Sequence, residues 1–164
     1  MTISRRAFRF ALSVLLAVTA SAPLVADTVL VHVHGNTRAL TRQASVSQIT
    51  AAFEDGLMIP LFERGHIVFN LMDDGEPLDV DTARSVGAAE GVDWVVLVEI
   101  HLVSANGSAS VDSARYTFVR VAADEETLRG SFSAGEFDRR RGETLVAAVE
   151  RVGRNLADSF LDEM

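Results

Sequence analysis

The run Trp94–Val103 (WVVLVEIHLV) constrains the fold more than any other part of the chain. Most of its residues are β-branched or otherwise apolar, which is typical of a strand in the middle of a sheet. Strand side chains alternate between two faces, so one face of this strand is wholly apolar while the other carries two ionisable groups. The first strand, Thr28–His34, repeats the pattern, because its valines alternate with a leucine and two histidines. A sheet covered by helices on one face and wet on the other produces both patterns.

Helix and strand patterns follow one another in the order β-α-β-α-β-β-β-α. Apolar residues at steps of three and four predict three helices, the last of them from about Arg139 to Asp162. The first two crossovers are long enough for right-handed parallel connections. The later strands are joined as antiparallel hairpins, the first through a polar loop expected at Ser104–Ser113. We therefore predict an α/β (α+β) two-layer sandwich, with one mixed five-stranded sheet and three helices mainly on one face.

Residues 1–26 have the anatomy of a secretory signal peptide, with early arginines, an apolar segment from Phe10 to Ala20, and small residues after it. The apolar segment is too short and too rich in Ala, Ser and Thr for a stable membrane span. We therefore predict an exported chain with a single α/β domain over residues 27–164, and cleavage after Ala20 or after Ala26. The pair Arg5-Arg6 also fits a twin-arginine export motif, so the general secretory and twin-arginine routes both stay open.

Composition removes several classes of function. The chain has neither Cys nor Lys, which excludes disulfides, thiolate metal sites, a cysteine nucleophile and Schiff-base chemistry. Three of the fifteen basic residues lie in the leader and none of the 23 acids does, so removing the leader moves the formal net charge from −8 to −11. A chain this acidic is a poor match for a nucleic-acid backbone and is repelled by anionic lipid surfaces.

The stretch Gly91–Val98 (GVDWVVLV) forms a turn that leads into the central strand. This "Gly-x-Asp-aromatic-hydrophobic" turn, with the element order over roughly Thr28–Phe160, resembles the amino-terminal domain of TolB. It also resembles envelope lipoproteins of the curli-secretion and penicillin-binding-protein-activator kind. The resemblance implies a two-layer α/β module in the bacterial envelope that works through protein contacts and not through catalysis. Those lipoproteins carry an acylated Cys, which this chain lacks, and no functional residue of the group falls on a matched position.

The polar faces of the first and central strands carry the candidate metal ligands His32, His34, Glu99 and His101. If the two strands are neighbours, three imidazoles and a carboxylate converge, and such a set can hold zinc or a related ion. Two histidines at spacing two on a strand lie about 7 Å apart, which is loose for a single ion. The alternative is a solvated or partner-covered sheet face, with Glu99 in a cross-strand pair with a histidine, and we favour that interpretation.

Two further charged clusters favour structural roles. The acidic residues around Gly75 lack the spacing of a calcium-binding EF-hand loop and are interpreted as a solvated turn with a helix cap; they are Asp73, Asp74, Glu76, Asp79 and Asp81. The arginines Arg139–Arg141 are interpreted as members of local ion pairs, although docking to an acidic partner is a functional alternative. No phosphate loop, nucleophile elbow or metalloprotease motif is present in the sequence.

The leading hypothesis is an exported, soluble, periplasmic or secreted envelope protein. We expect it to bind other envelope proteins or itself, without enzymatic activity, cofactor or nucleic acid and without a membrane span after leader removal. A metal-binding protein that uses the His/Glu face is the alternative, and a carrier of a small ligand in a pocket between sheet and helices ranks last, because the large core side chains leave little room.

Overall fold

The structure is a computed structural model that describes residues 26–37, 43–71, 76–105, 108–123 and 128–164. The predicted leader lies almost entirely outside these residues. The described elements follow the predicted order β-α-β-α-β-β-β-α, with one added 3-10 helix before the last helix. They are β1 (Thr28–Thr37), α1 (Gln43–Glu63), β2 (Ile67–Asn70), α2 (Val80–Glu90), β3 (Trp94–Ala105), β4 (Ser108–Arg120), β5 (Leu128–Ser133), the 3-10 helix (Ala134–Phe137) and α3 (Leu145–Leu161).

The five strands form one mixed sheet in the spatial order β2-β1-β3-β4-β5. Strand β1 runs parallel to both of its neighbours, β2 and β3. Strands β3, β4 and β5 are antiparallel in sequence. The predicted mixed five-stranded sheet is therefore confirmed, with β2 and β5 at its two edges.

Helices α1 and α3 pack on one face of the sheet and enclose the larger hydrophobic core. The alternate apolar side chains of β1 and β3 point into this core, as their period of two requires. Full burial of one such side chain contributes about 1.5–3 kcal/mol, so this face is the main source of stability. Aromatic rings fill its centre: Phe160 of α3 contacts Trp94 edge-on, with ring centroids 5.3 Å apart, and Phe118 at 4.6 Å.

Helix α1 lies against α3 at two glycines, Gly56 and Gly153. A Cβ at Gly56 would lie 2.1 Å from the carbonyl oxygen of Glu150, and one at Gly153 would lie 2.5 Å from that of Phe53. Any larger residue at either position would force the two helices apart. The backbones therefore approach closely because neither position carries a side chain.

Helix α2 packs on the opposite face of the sheet and covers a second, smaller core. Its buried members are Leu30, Ala83, Val92, Val95, Leu97 and Val119. The prediction of helices mainly on one face is confirmed, since two of the three lie together. The expectation that the reverse face is wet is wrong for part of it, because α2 covers the part that carries these apolar residues.

The turn before β3 ties three strands together. Gly91 ends α2 with a φ of 69°, a left-handed conformation that suits glycine. The backbone N–H of Thr28 donates to Oδ2 of Asp93 at 2.8 Å. The backbone N–H of Asp93 donates to the carbonyl of Thr28, and its carbonyl accepts from Val121, both at 2.9 Å. The Gly-x-Asp turn therefore fixes the starts of β1 and β3 against the end of β4.

No helix in the described part of the chain is long and apolar enough to cross a lipid bilayer.

Candidate functional site

A groove of about 940 Å³ opens on the α2 face of the sheet, beside the first turn of α2. Its floor is the part of the sheet that α2 does not cover, and its wall is the segment that leads into α2. The charged and histidine side chains that line it are His32, His34, Asp79, Asp81, Arg84, Glu99, Arg115 and Arg129.

The strand register explains which side chains share the floor. Each row across the sheet brings residues of several strands together on one face. The row nearer to α2 contains His32, Leu97, Thr117 and Arg129, and the next row contains His34, Glu99, Arg115 and Ser131. A third row, further from α2, contains His101 opposite Ser113. The polarity of the floor therefore rises with distance from the small apolar core.

His32 is the most unusual residue of the groove. Its side chain is only 2% exposed, and neither ring nitrogen has a hydrogen-bond partner in the described part of the chain. Buried polar groups in proteins are normally hydrogen-bonded, since leaving one unpaired costs about 1–3 kcal/mol. His32 thus has hydrogen-bonding capacity that the fold itself does not use.

Arg84 of α2 shares this property. Its Nε is buried and has no partner among the described residues. Its Nη1 lies 3.9 Å from Oδ1 of Asp81, whose side chain is almost fully exposed. An exposed pair at this distance contributes little. The guanidinium therefore has donors available on the groove side of the helix.

Two carboxylates of the groove, unlike the ring of His32, have hydrogen-bond partners within the described fold. Asp79 caps α2 by accepting the backbone N–H of Thr82 at 2.7 Å. This hydrogen bond lowers the pKa of the Asp79 carboxyl below its ordinary value of 3.8. Glu99 accepts from Nδ2 of Asn36 at 3.2 Å, and its Oε2 lies 3.6 Å from Nε2 of His101.

The four predicted metal ligands are only partly brought together. Glu99 lies beside His34 in the register and 3.6 Å from Nε2 of His101, and His32 lies one row away. His101 does not line the groove. Across the residues that the structure describes, no group of three or more His, Asp or Glu side chains is arranged to hold a metal ion. The expectation that the histidines lie on a solvated face is wrong for His32 and His34, which are 2% and 8% exposed.

Sequence reasoning missed the arginines of the groove. Arg115 and Arg129 lie on the same face as Glu99 because the register of β3, β4 and β5 aligns them. Each arginine lies two residues from another polar side chain on the same strand, which indicates a shared polar face. Only the strand register shows that this face is the one that carries Glu99. Of the other charged clusters, Asp73 and Asp74 lie outside the described residues, and Arg139–Arg141 are exposed.

A second surface feature lies at the β2 edge of the sheet, which we call the β2 corner. It consists of Ile67 and Phe69 of β2, which are both 51% exposed and lie two residues apart on the same face of the strand. Large apolar side chains exposed together mark interaction surfaces more often than scattered ones do.

No protein-family model matches the chain, and no curated protein matches it. Solved structures with a similar fold include the lipoprotein GNA1162 from Neisseria meningitidis, at 14% identity and a TM-score of 0.44, covering 83% of this chain and 99% of that one. TolB from Acinetobacter baumannii matches at 13% identity and a TM-score of 0.42, covering 88% of this chain and 29% of TolB. The LpoB C-terminal domain from Salmonella enterica matches at 10% identity and a TM-score of 0.39, covering 73% and 91%. The resemblance to TolB and to envelope lipoproteins that the sequence predicted is thus found among solved structures, and at these identities it concerns the fold alone.

Proposed function

We propose that this protein is an exported component of the bacterial envelope that acts by binding another protein and not by catalysis. The predicted leader supports export. The absence of known catalytic motifs from the full sequence supports a binding role.

The β2 corner is the observation that carries this proposal. Strand β2 is an edge strand, and only one side of it pairs with β1. In a parallel pair, alternate residues direct their backbone N–H and C=O groups to the neighbouring strand. The N–H of Ile67 donates to the carbonyl of Asp27, just before β1, and that of Leu71 donates to Val31 of β1. Val68 and Asn70 therefore direct their backbone groups outward. An extended segment of a partner can add to such an edge while its side chains contact Ile67 and Phe69.

Charge indicates that the occupant is a different protein and not a second copy. The formal net charge of −11 after leader removal makes two copies repel each other. A partner with an apolar segment and a positive net charge meets no such repulsion. The proposed partner is therefore a basic or neutral envelope protein that contributes an extended strand.

Site-specific photocrosslinking in the native cell tests the proposal. A photoreactive amino acid replaces Phe69 in one strain and the exposed Arg154 of α3 in a control strain. We expect a covalent adduct with one defined envelope protein from position 69 and none from position 154. An adduct with a second copy of this chain, or equal adducts from both positions, would contradict the proposal.

Binding with purified components then measures the contribution of the corner. Phe69→Ser removes an exposed ring and should weaken the complex by about tenfold or more, as expected for a central aromatic contact. Val146→Ser removes a similarly exposed apolar side chain from α3 and should leave the affinity unchanged. Equal effects of the two substitutions would show that the β2 corner is not the interface.

Two further measurements test export and the absence of catalysis. The intact mass of the protein from the envelope fraction should correspond to a chain that begins at Ser21 or Asp27. An uncleaved chain that stays in the cytoplasm would refute export. Reproducible turnover of a substrate by metal-free protein would end the non-enzymatic part of the proposal.

A further inference from the structure

The groove holds hydrogen-bond donors that no described residue of the protein accepts. The ring of His32 and the Nε of Arg84 come from different elements, β1 and α2, and both line the same groove. Both are buried without a partner among the described residues. Two side chains from different elements that both bury an unpaired polar group in the same groove indicate a shared function rather than a local packing defect.

The acceptors of the groove do not satisfy these donors. Asp79 is occupied by the first turn of α2, and Glu99 is occupied by Asn36 and lies beside His101. Asp81 directs its carboxylate to solvent, since its side chain is 98% exposed. Among the described residues, no acceptor pairs with these two donors, which leaves them to an acceptor that enters from outside.

Two arginines on the floor of the groove add positive charge. Arg115 and Arg129 project from β4 and β5 onto the same face and line the groove together with Arg84. A guanidinium presents its N–H groups in a planar fork that matches the two oxygens of a carboxylate or phosphate. A neutral imidazole offers one N–H donor to the same ligand.

We propose that this groove binds the oxyanion of a small molecule, a carboxylate or a phosphate, with Arg84 and His32 as the inner donors. The volume of about 940 Å³ is at the upper end of the range for small-ligand sites. Arg115 and Arg129 attract the anion from the floor of the groove. This site is separate from the β2 corner and does not depend on the protein-binding proposal.

Nuclear magnetic resonance of the ¹⁵N-labelled mature chain tests the site directly. The ring nitrogens of His32 and the Nε of Arg84 are followed during separate titrations with sodium phosphate and sodium succinate. Sodium chloride at matched ionic strength is the control. We expect saturable shifts of both groups with at least one oxyanion, at a Kd of about 1 mM or tighter, and no saturable shift with chloride.

The two titrations also identify the class of oxyanion that the groove binds. Saturation by succinate alone assigns a carboxylate, saturation by phosphate alone assigns a phosphate, and saturation by both assigns an unselective oxyanion site. Absence of saturation by either salt, or the same shifts with chloride, would overturn the proposal. Because these titrations use the wild-type protein, their outcome does not depend on whether a variant folds.

Paired arginine variants separate specific binding from general charge. Arg84→Gln should weaken oxyanion binding by about tenfold or more, since it removes a bidentate charged donor. Arg154→Gln removes the same charge from α3, on the other side of the sheet, and should leave binding unchanged. Arg84→Lys keeps the charge without the planar fork and should bind with intermediate affinity. Equal weakening by Arg84→Gln and Arg154→Gln would show that only net charge matters, and the site would be refuted.

Discussion

The unpartnered ring of His32 leads to an uncommon expectation, namely that an apolar substitution stabilises the protein. His32→Leu replaces a side chain that is 2% exposed and whose two ring nitrogens have no partner among the described residues. Burying such a polar group without a hydrogen bond costs about 1–3 kcal/mol, and leucine removes this cost. The change of side-chain shape offsets part of this stabilisation, because even well-tolerated core substitutions lower the free energy of unfolding by up to about 1.5 kcal/mol. We therefore expect the free energy of unfolding to rise by about 1 kcal/mol and Tm to rise by roughly 3 °C.

Urea denaturation of the mature chain in oxyanion-free buffer measures this difference. His34→Leu is the matched control, because it is the same substitution two residues further along β1. His34 already interacts with another part of the protein, so its replacement should lower the stability by about 1 kcal/mol. A stability loss of similar size in His32→Leu would show that the His32 ring is satisfied within the fold, and the argument for an external ligand would fail. With the oxyanion added, only the wild-type protein should gain stability, since the variant lacks one of the inner donors.

Three other outcomes follow from the fold. Gly56→Ala should destabilise the protein by about 2 kcal/mol, because the new Cβ meets the carbonyl of Glu150 at 2.1 Å; Gly135→Ala, which meets nothing within 4 Å, should be neutral in the same urea titration. The hydrogen bond from Arg151 lowers the pKa of Glu143 below its ordinary value of 4.5. Glu143→Gln should therefore lower Tm at neutral pH, and this difference in Tm should vanish as the pH falls through the folded-state pKa. A difference in Tm that persists in acid would contradict this expectation. The metal hypothesis predicts bound zinc, copper or nickel in protein purified from the envelope and a Tm that rises on adding the metal; elemental analysis that finds none, with unchanged melting, eliminates it.

The strands and their order along the chain could be predicted because the alternation of side chains within one strand is a local property of the sequence. The bounds of the hairpin could not. The polar stretch Ser104–Ser113 was interpreted as a loop, yet β3 extends to Ala105 and β4 begins at Ser108. Two exposed strands can pair through their backbones whatever their side chains are, so a polar composition does not end a hairpin. The start of α3 was also placed too early, within the charged segment that precedes the helix. The helix begins at Leu145, capped by Thr144, and not near Arg139.

The faces of the sheet were predicted less well than its strands. Period two shows which side chains share a face, but it does not show which helix covers that face. Leu30, Val95 and Leu97 stood among the histidines and Glu99 as apolar exceptions on the presumed wet side. They are the residues that α2 covers. An apolar cluster on an otherwise polar strand face is therefore evidence for a helix on that face.

The groove itself follows from a difference in length between α2 and the strands beneath it. An eleven-residue helix such as α2 is about 16 Å long, whereas the twelve residues of β3 extend over about 40 Å. One helix of this size can seal only part of the face, and the apolar rows near Asp93 are the part that it seals. The rows beyond its first turn keep their polar side chains, and His32 lies at the boundary, where it is buried and lines the groove. A buried histidine with no partner among the described residues thus lines the same groove as Arg84, Arg115 and Arg129, a position from which it can donate to an incoming oxyanion.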